Sequence, residues 1–233
     1  MKIVLILGLT AAIATPAAYA DSITINSSNA VTFLSNGTST TTDFPFAFTT
    51  ANFNSAQTGE NAAVLTSTPF YTTAASLTTA GAQWIGTSAG GGSGSTPGYT
   101  ALYAIGFDIP DGFVSGSLTL NYEVDNQLGD LNPGIYLNGI ALPGSTNNTG
   151  CGPVCFNALQ TYTDSSVTAD LVQGMNWLYI DAVNVGEEGG LIFSADISTV
   201  NSTSPVPEPS SMILMLTMLL AVALLERKRK ARG

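Results

Sequence analysis

Hydrophobic and polar residues alternate at period two in several short stretches of this chain. Ser22-Ile23-Thr24-Ile25-Asn26 is one, and Ser117 to Asp125 (SLTLNYEVD) is the longest. Successive side chains of a strand point to opposite faces, so this pattern predicts strands with one face in a core. Asn176 to Val183 (NWLYIDAV) and Gly190 to Ile197 (GLIFSADI) are rich in aromatic and β-branched residues and predict two more. Turn residues separate them: Pro110-Asp111-Gly112, Asn132-Pro133-Gly134, Asn138-Gly139, Gly174 and Gly189-Gly190. Asn138-Gly139 suits a type I′ hairpin turn, because both residues tolerate positive φ. The one modest helical stretch in this region runs from Val167 to Val172. Many short strands at this spacing predict an all-β domain, a β-sandwich.

The two ends break the pattern. Residues 1–20 combine Lys2, an apolar stretch from Ile3 to Ile13 and the small-x-small triplet Ala18-Tyr19-Ala20. That is the layout of a signal peptide cleaved after Ala20, leaving Asp21 as the first mature residue. At the other end, Pro205-Val206-Pro207-Glu208-Pro209 precedes two serines, the apolar run Met212 to Leu225, Glu226 and a basic cluster from Arg227 to Arg232. With its serines the apolar segment, about 210–225, is roughly 24 Å long as a helix. Snorkelling Arg and Lys side chains can make up the difference to the ~30 Å hydrocarbon core, so a single transmembrane helix is expected. The basic end then stays in the cytoplasm and the rest of the chain outside. The expected organisation is a signal peptide at 1–20, an exported domain at 21–204 and a tail at 205–233.

Charge sharpens the picture. Of 233 residues only 9% are charged, with Lys+Arg 6, Asp+Glu 16 and no His. All six cations lie at the ends, at Lys2 and from Arg227 to Arg232, while 14 of the 16 carboxylates fall between Asp21 and Asp196. The exported domain thus holds acids and no base. It lacks the cations that nucleic acid requires, the imidazole of Ser-His-Asp or Cys-His catalysis, and the lysine of a P-loop. Hydroxyls, amides, carboxylates and backbone are the remaining chemistry, which favours binding or structure over catalysis.

Pro207-Glu208-Pro209, one apolar helix and a terminal basic cluster, in that order, resemble the PEP-CTERM sorting tail of Gram-negative bacteria. The resemblance implies recognition by an exosortase, a membrane protease-transferase that removes the tail, with the mature protein at the cell surface or in an extracellular matrix alongside exopolysaccharide. A permanent single-pass anchor with a proline-rich stalk is the alternative. A looser resemblance covers residues 82–199. Gln83-Trp84-Ile85-Gly86, the Leu-x-Leu strand ending Asp125-Asn126, Ile135 to Gly139 and Leu171 to Leu178 are similar to galactose-binding-like jelly-roll domains. It implies a sandwich that binds carbohydrate through loops at one end, with Asp125-Asn126 matching that group's acidic-amide pair.

Trp84, Asp125 and Asn126 are the candidate sugar contacts, since sugars offer apolar ring faces edged by hydroxyls; equally, Trp84 can be core and Asp125-Asn126 a turn. Asp125, Asn126 and Asp130 are close enough in sequence to serve Ca²⁺, although their spacing is not that of an EF-hand. Cys151 and Cys155, in a Gly/Pro loop of an exported protein, read as a disulfide. Glu123-Val124-Asp125 resembles the start of the E-x-D-x-(x)-E motif of jelly-roll glucanases, but the second glutamate that must flank a glycosidic bond is missing. Glu187 and Glu188 are adjacent and would point to opposite faces of a strand. The expectation is a non-catalytic surface protein that engages exopolysaccharide; a structural protein without a ligand site and a carboxylate-dependent glycan hydrolase are the alternatives.

Overall fold

The structure is a computed structural model, and it describes residues 19–36, 43–66, 71, 73–90, 98–145, 155–186, 188–201 and 209–231. Two compact units emerge: Ala20–Asn201, and the two ends, Met1–Tyr19 with Ser202–Gly233. The larger unit opens with β1 (Tyr19–Asn26) and β2 (Thr32–Ser35), then α1 (Thr50–Gln57), β3 (Glu60–Asn61), β4 (Ala63–Val64), α2 (Ala75–Thr79) and β5 (Ile85–Gly86). The long strands follow: β6 (Ala101–Ile109), β7 (Phe113–Asp125), β8 (Gln127–Leu128), β9 (Ile135–Leu137), β10 (Ile140–Ala141), β11 (Cys155–Asp164), β12 (Gly174–Val183) and β13 (Gly190–Asn201).

The strands form two antiparallel sheets. The first runs β11-β7-β13-β5-β4, with β1 also paired to β13; the second runs β10-β9-β12-β6-β2-β3, with β8 on β12. Alternation decides what lies between them. Leu118, Leu120, Tyr122 and Val124 of β7 join Leu191, Phe193, Ala195 and Ile197 of β13 in one buried cluster. Tyr103, Phe107 and Ile109 of β6 and Leu178, Ile180 and Ala182 of β12 belong to the same cluster. Burying an aliphatic or aromatic side chain of this size is worth about 1.5–3 kcal/mol, so this inter-sheet layer is the main source of stability. The alternating segments at 22–26, 117–125, 176–183 and 190–197 are all strands, and the β-sandwich expectation holds at that level.

The Asn138-Gly139 turn has the expected form, with φ of 52° and 83° between β9 and β10. The helical stretch at Val167 is one 3-10 turn, Val167–Ala169. Two helices were not expected. In α1 the Thr49 N–H donates to Asn52 Oδ1 at 2.9 Å, half of a capping box, and the helix buries Phe53 and Ala56. Its hydrophobic periodicity is weak, and packing rather than propensity holds it.

The tail helix α3 spans Pro209–Lys230. Here the expectation of a membrane span at about 210–225 is corrected: among the described residues no helix is long and apolar enough to cross a membrane. The run from Met212 to Leu225, with Thr217 inside it, is 14 residues, about 21 Å of helix against the ~30 Å of a hydrocarbon core. Glu226 and the basic cluster end it. The proposed signal peptide up to Ala18, Cys151, Glu187 and the sorting residues Pro207 and Glu208 lie outside the described residues. Pro209 opens α3, Ala20 lies in β1, and Cys155 starts β11.

Candidate functional sites on the covered sheet faces

The residues that alternate with the core ones face away from it, and each sheet has its outer face covered by a crossing segment. On the first sheet, Glu123 and Asp125 of β7 and Ile192 of β13 lie on this outer face. Tyr71 and residues 73–84 cross over them and pack Tyr71, Leu77, Ala82 and Trp84 against Ile192. Trp84 is only 6% exposed. Its ring stacks on Tyr71 with centroids 4.2 Å apart and planes 29° from parallel, and its Nε1 donates to Thr73 Oγ1 at 2.8 Å. Gly190 makes this possible: a Cβ there would lie 3.2 Å from both the Trp84 and the Tyr71 rings.

Tyr71 links the stack to the acids by donating its hydroxyl to Asp125 Oδ2 at 3.1 Å. Burial pushes the Asp125 carboxyl up to about 6; the Tyr71 hydrogen bond pulls it down, and nearby Glu188 pushes it up. Glu123 Oε1 accepts the Ala74 N–H at 2.9 Å, while its Oε2 is buried and meets no donor among the described residues. Burial raises its pKa, against the Ala74 bond. Asn126 follows Asp125 through a cis peptide. Its N–H donates to Val183 O at 3.1 Å, and its Oδ1 accepts the Val185 N–H at 2.8 Å.

Trp84 and Asp125, two of the three expected sugar contacts, thus meet in one stack with Tyr71, and Asn126 pins the adjoining loop. The stack is closed, so neither Trp84 nor Asp125 presents a face to a ligand. Of the calcium candidates, Asp125 is buried in this stack, while Asp130 is exposed in the loop that wraps Asp43. Among the described residues no group of three or more His, Cys, Asp or Glu side chains is placed to hold a metal ion.

The second sheet is covered differently. Its outer face carries Tyr136 of β9, Leu102 and Ala104 of β6, and Trp177, Tyr179 and Asp181 of β12. Residues 43–57, ending in α1, lay Phe44, Phe48, Phe53 and Ala56 over them. Phe53 touches three rings at once: Phe48, Tyr136 and Tyr179, with centroids 5.9, 5.2 and 4.7 Å away. Between α1 and the β9–β10 turn a cavity of about 460 Å³ stays open, within the usual size range of ligand pockets. Phe48, Phe53 and Tyr179 supply its apolar wall; Thr49, Thr50, Asn54, Gln57 and Asn138 supply hydroxyls and amides. Among the described residues no charged side chain lines it. Gln57 Nε2 donates to the Tyr179 hydroxyl. Asn138 is spoken for: it donates to Asp170 O and Asn176 Oδ1 and accepts the Trp177 N–H.

Of the groove residues, the sequence marks Asn138 and Gly139 as a hairpin turn, and it marks none of them as a site. The available signal was Phe44-Pro45-Phe46-Ala47-Phe48 with Phe53 soon after, an aromatic concentration in an otherwise Thr/Asn-rich segment.

No protein-family profile matches the sequence, and no curated protein matches it. Among solved structures the chain is similar to the native family 35 carbohydrate-binding module of Clostridium thermocellum. The two are 15% identical over 78% of this chain and 98% of that module, with a TM-score of 0.30. At that score no residue of one is equated with a residue of the other, and function has to be read from this chain's own side chains.

Proposed function

We propose that the Ala20–Asn201 unit is a non-catalytic glycan-binding domain working outside the cell, and that the groove beside α1 is where it binds. The supporting observation is the groove's composition: aromatic walls, an amide and hydroxyl rim, and no charged side chain among the described residues. A sugar ring is apolar on its faces and hydroxylated at its edge, so it matches such a lining. The ligand class is a neutral polysaccharide, because residues 21–204 contain no Lys, Arg or His to neutralise a uronate or sulfate. Hydrolysis is disfavoured for a steric reason. Glu123 and Asp125 lie under the Tyr71–Trp84 cover, and two catalytic carboxyls must flank the scissile bond.

Affinity electrophoresis of the purified chain in gels containing a neutral β-glucan or galactan, or a uronate-rich polymer, tests this. The neutral polymers should retard it and the uronate should not. Asn54 is exposed, so Asn54→Ala should leave folding within ~0.5 kcal/mol while weakening retardation about fivefold, the worth of roughly one hydrogen bond. Retardation equal in wild type and Asn54→Ala removes the groove from the account; no retardation by any polymer favours a structural protein without a ligand site.

The ends are read as addresses in the same proposal. Residues 1–20 direct export, and Pro207-Glu208-Pro209 with α3 and its basic end forms a sorting tail presented to an exosortase-like protease-transferase at the membrane of a Gram-negative cell. Mass spectrometry of the surface form should find a mature chain starting at Asp21 and lacking Met212–Leu225. Trypsin has no site in 21–204, so another protease must generate the peptides. Mature protein that retains the apolar run overturns the sorting part and leaves the glycan reading standing.

A further inference from the structure

The outer face of the second sheet holds a pair of acids that the groove does not use. Asp181 lies two residues beyond Tyr179 on β12 and is fully buried, and neither of its carboxyl oxygens meets a donor among the described residues. Its neighbour is Asp43, at the head of the cover and 1% exposed. Asp43 has the opposite surroundings. Its Oδ2 accepts the backbone N–H groups of Asp130, Leu131 and Asn132 at 3.2, 2.7 and 2.9 Å, and the Asn132 side-chain amide at 3.4 Å. Its Oδ1 accepts the Phe44 N–H at 2.6 Å. One carboxyl is surrounded by donors suited to a negative charge, and the other has none.

A buried carboxylate without a donor or a cation is too costly to remain ionised. The groups facing Asp181 make this worse: Asp43 and Asp130 are acids, Tyr136 contributes a neutral phenol, and residues 21–204 offer no cation. Burial first, then Asp43, then Asp130 push the Asp181 carboxyl well above the ordinary range. A metal ion between the acids fits less well than a proton, because N–H groups already occupy both Asp43 oxygens and the described residues add no third clustered ligand. A proton satisfies both side chains, with the Asp181 hydroxyl donating to the Asp43 carboxylate.

We infer that Asp43 and Asp181 share one proton, and that this proton latches the 43–57 cover onto the second sheet. Its loss to solvent leaves two facing carboxylates, which drives Asp43 off and loosens the segment that walls the groove. Groove binding is therefore switched off at alkaline pH. That functional consequence rests on the groove reading; the latch itself does not.

The test uses the full chain without ligand, so its failure is separable from that of the glycan reading. Hydrogen exchange of the 43–57 amides is followed from pH 5 to pH 10, corrected for the intrinsic pH dependence of exchange. Protection in the wild type should fall at least tenfold across the alkaline limb, while in Asp181→Asn it should stay level. In that variant the new amide donates to Asp43 and has no proton to lose. Equal profiles in the two proteins overturn the latch. So does a calcium-induced rise in melting temperature that Asp181→Asn abolishes, since that places a metal between the acids. Should Asp181→Asn fail to fold, carbon-13 NMR of chain labelled at aspartate carboxyls decides. One aspartate still protonated above pH 7 supports the latch, and none protonated there refutes it.

Discussion

The two sheets wear their covers differently. Over the first sheet, Tyr71 and residues 73–84 bring an indole against a phenol, and Gly190 lets both settle onto β13. The result is sealed, with Glu123 and Asp125 beneath it. Over the second sheet the cover ends in α1, eight residues long and thus about 12 Å. Its cylinder covers only part of a broad face: Trp177 stays half-buried, and the cavity opens beside Asn54 and Gln57. Both covers are aromatic, and both lie over acids that no base accompanies. What separates them is shape. Flat rings stacked on a sheet exclude water from its surface, whereas a short helix leaves space along its flank. Aromatic content alone is therefore a poor guide to a binding face in this molecule.

The largest expected effect breaks the sealed cover. Trp84→Ala removes the stack on Tyr71 and the Thr73 hydrogen bond, and should cost about 3–5 kcal/mol in urea unfolding. Polysaccharide retardation measured below the new midpoint should be unchanged. Lost retardation with unaltered stability would reverse the roles assigned to the two faces.

Somewhat smaller is the effect of pH on the same cover. The Asp125 pKa is raised to about 6 by burial, so the folded state holds a proton that the unfolded chain releases near pH 4. The stability this group allows is complete below about pH 4, declines as pH rises to 6 and is flat above. A shift of about two units corresponds to roughly 3 kcal/mol. The native chain should accordingly unfold at higher urea at pH 4 than at pH 7. In Asp125→Asn, whose amide oxygen can still accept from Tyr71, that slope should shrink markedly. An undiminished slope would assign the effect to Glu123 or to the Asp43–Asp181 pair, on the other face.

The sequence speaks most directly where periodicity is local. The alternation from Ser117 to Asp125 specifies a strand and which of its sides is apolar, and Asn138-Gly139 specifies a hairpin turn, because both follow from backbone sterics within a few residues. The tail illustrates the opposite case. Its apolar run is visible at once, but among the described residues no helix is long and apolar enough to cross a membrane. Trp84 and Asp125, two residues that the sequence offers as sugar contacts, share one buried stack. Tyr71 joins them and closes the stack, and nothing near either residue in the sequence announces Tyr71.

By itself, then, the sequence determined the class of fold, the exclusive acidity of residues 21–204 and the chemistry available to them. Those properties depend on neighbours in the chain or on composition alone. Tertiary structure decided which face is sealed, where the open groove lies, and that Asp43 meets Asp181. Such outcomes depend on how strands far apart in sequence pair, β12 with β6 and β13 with β7. They also depend on which segments cross the outer faces. Contacts of that kind arise from burial summed over the whole domain, which no short window of residues encodes.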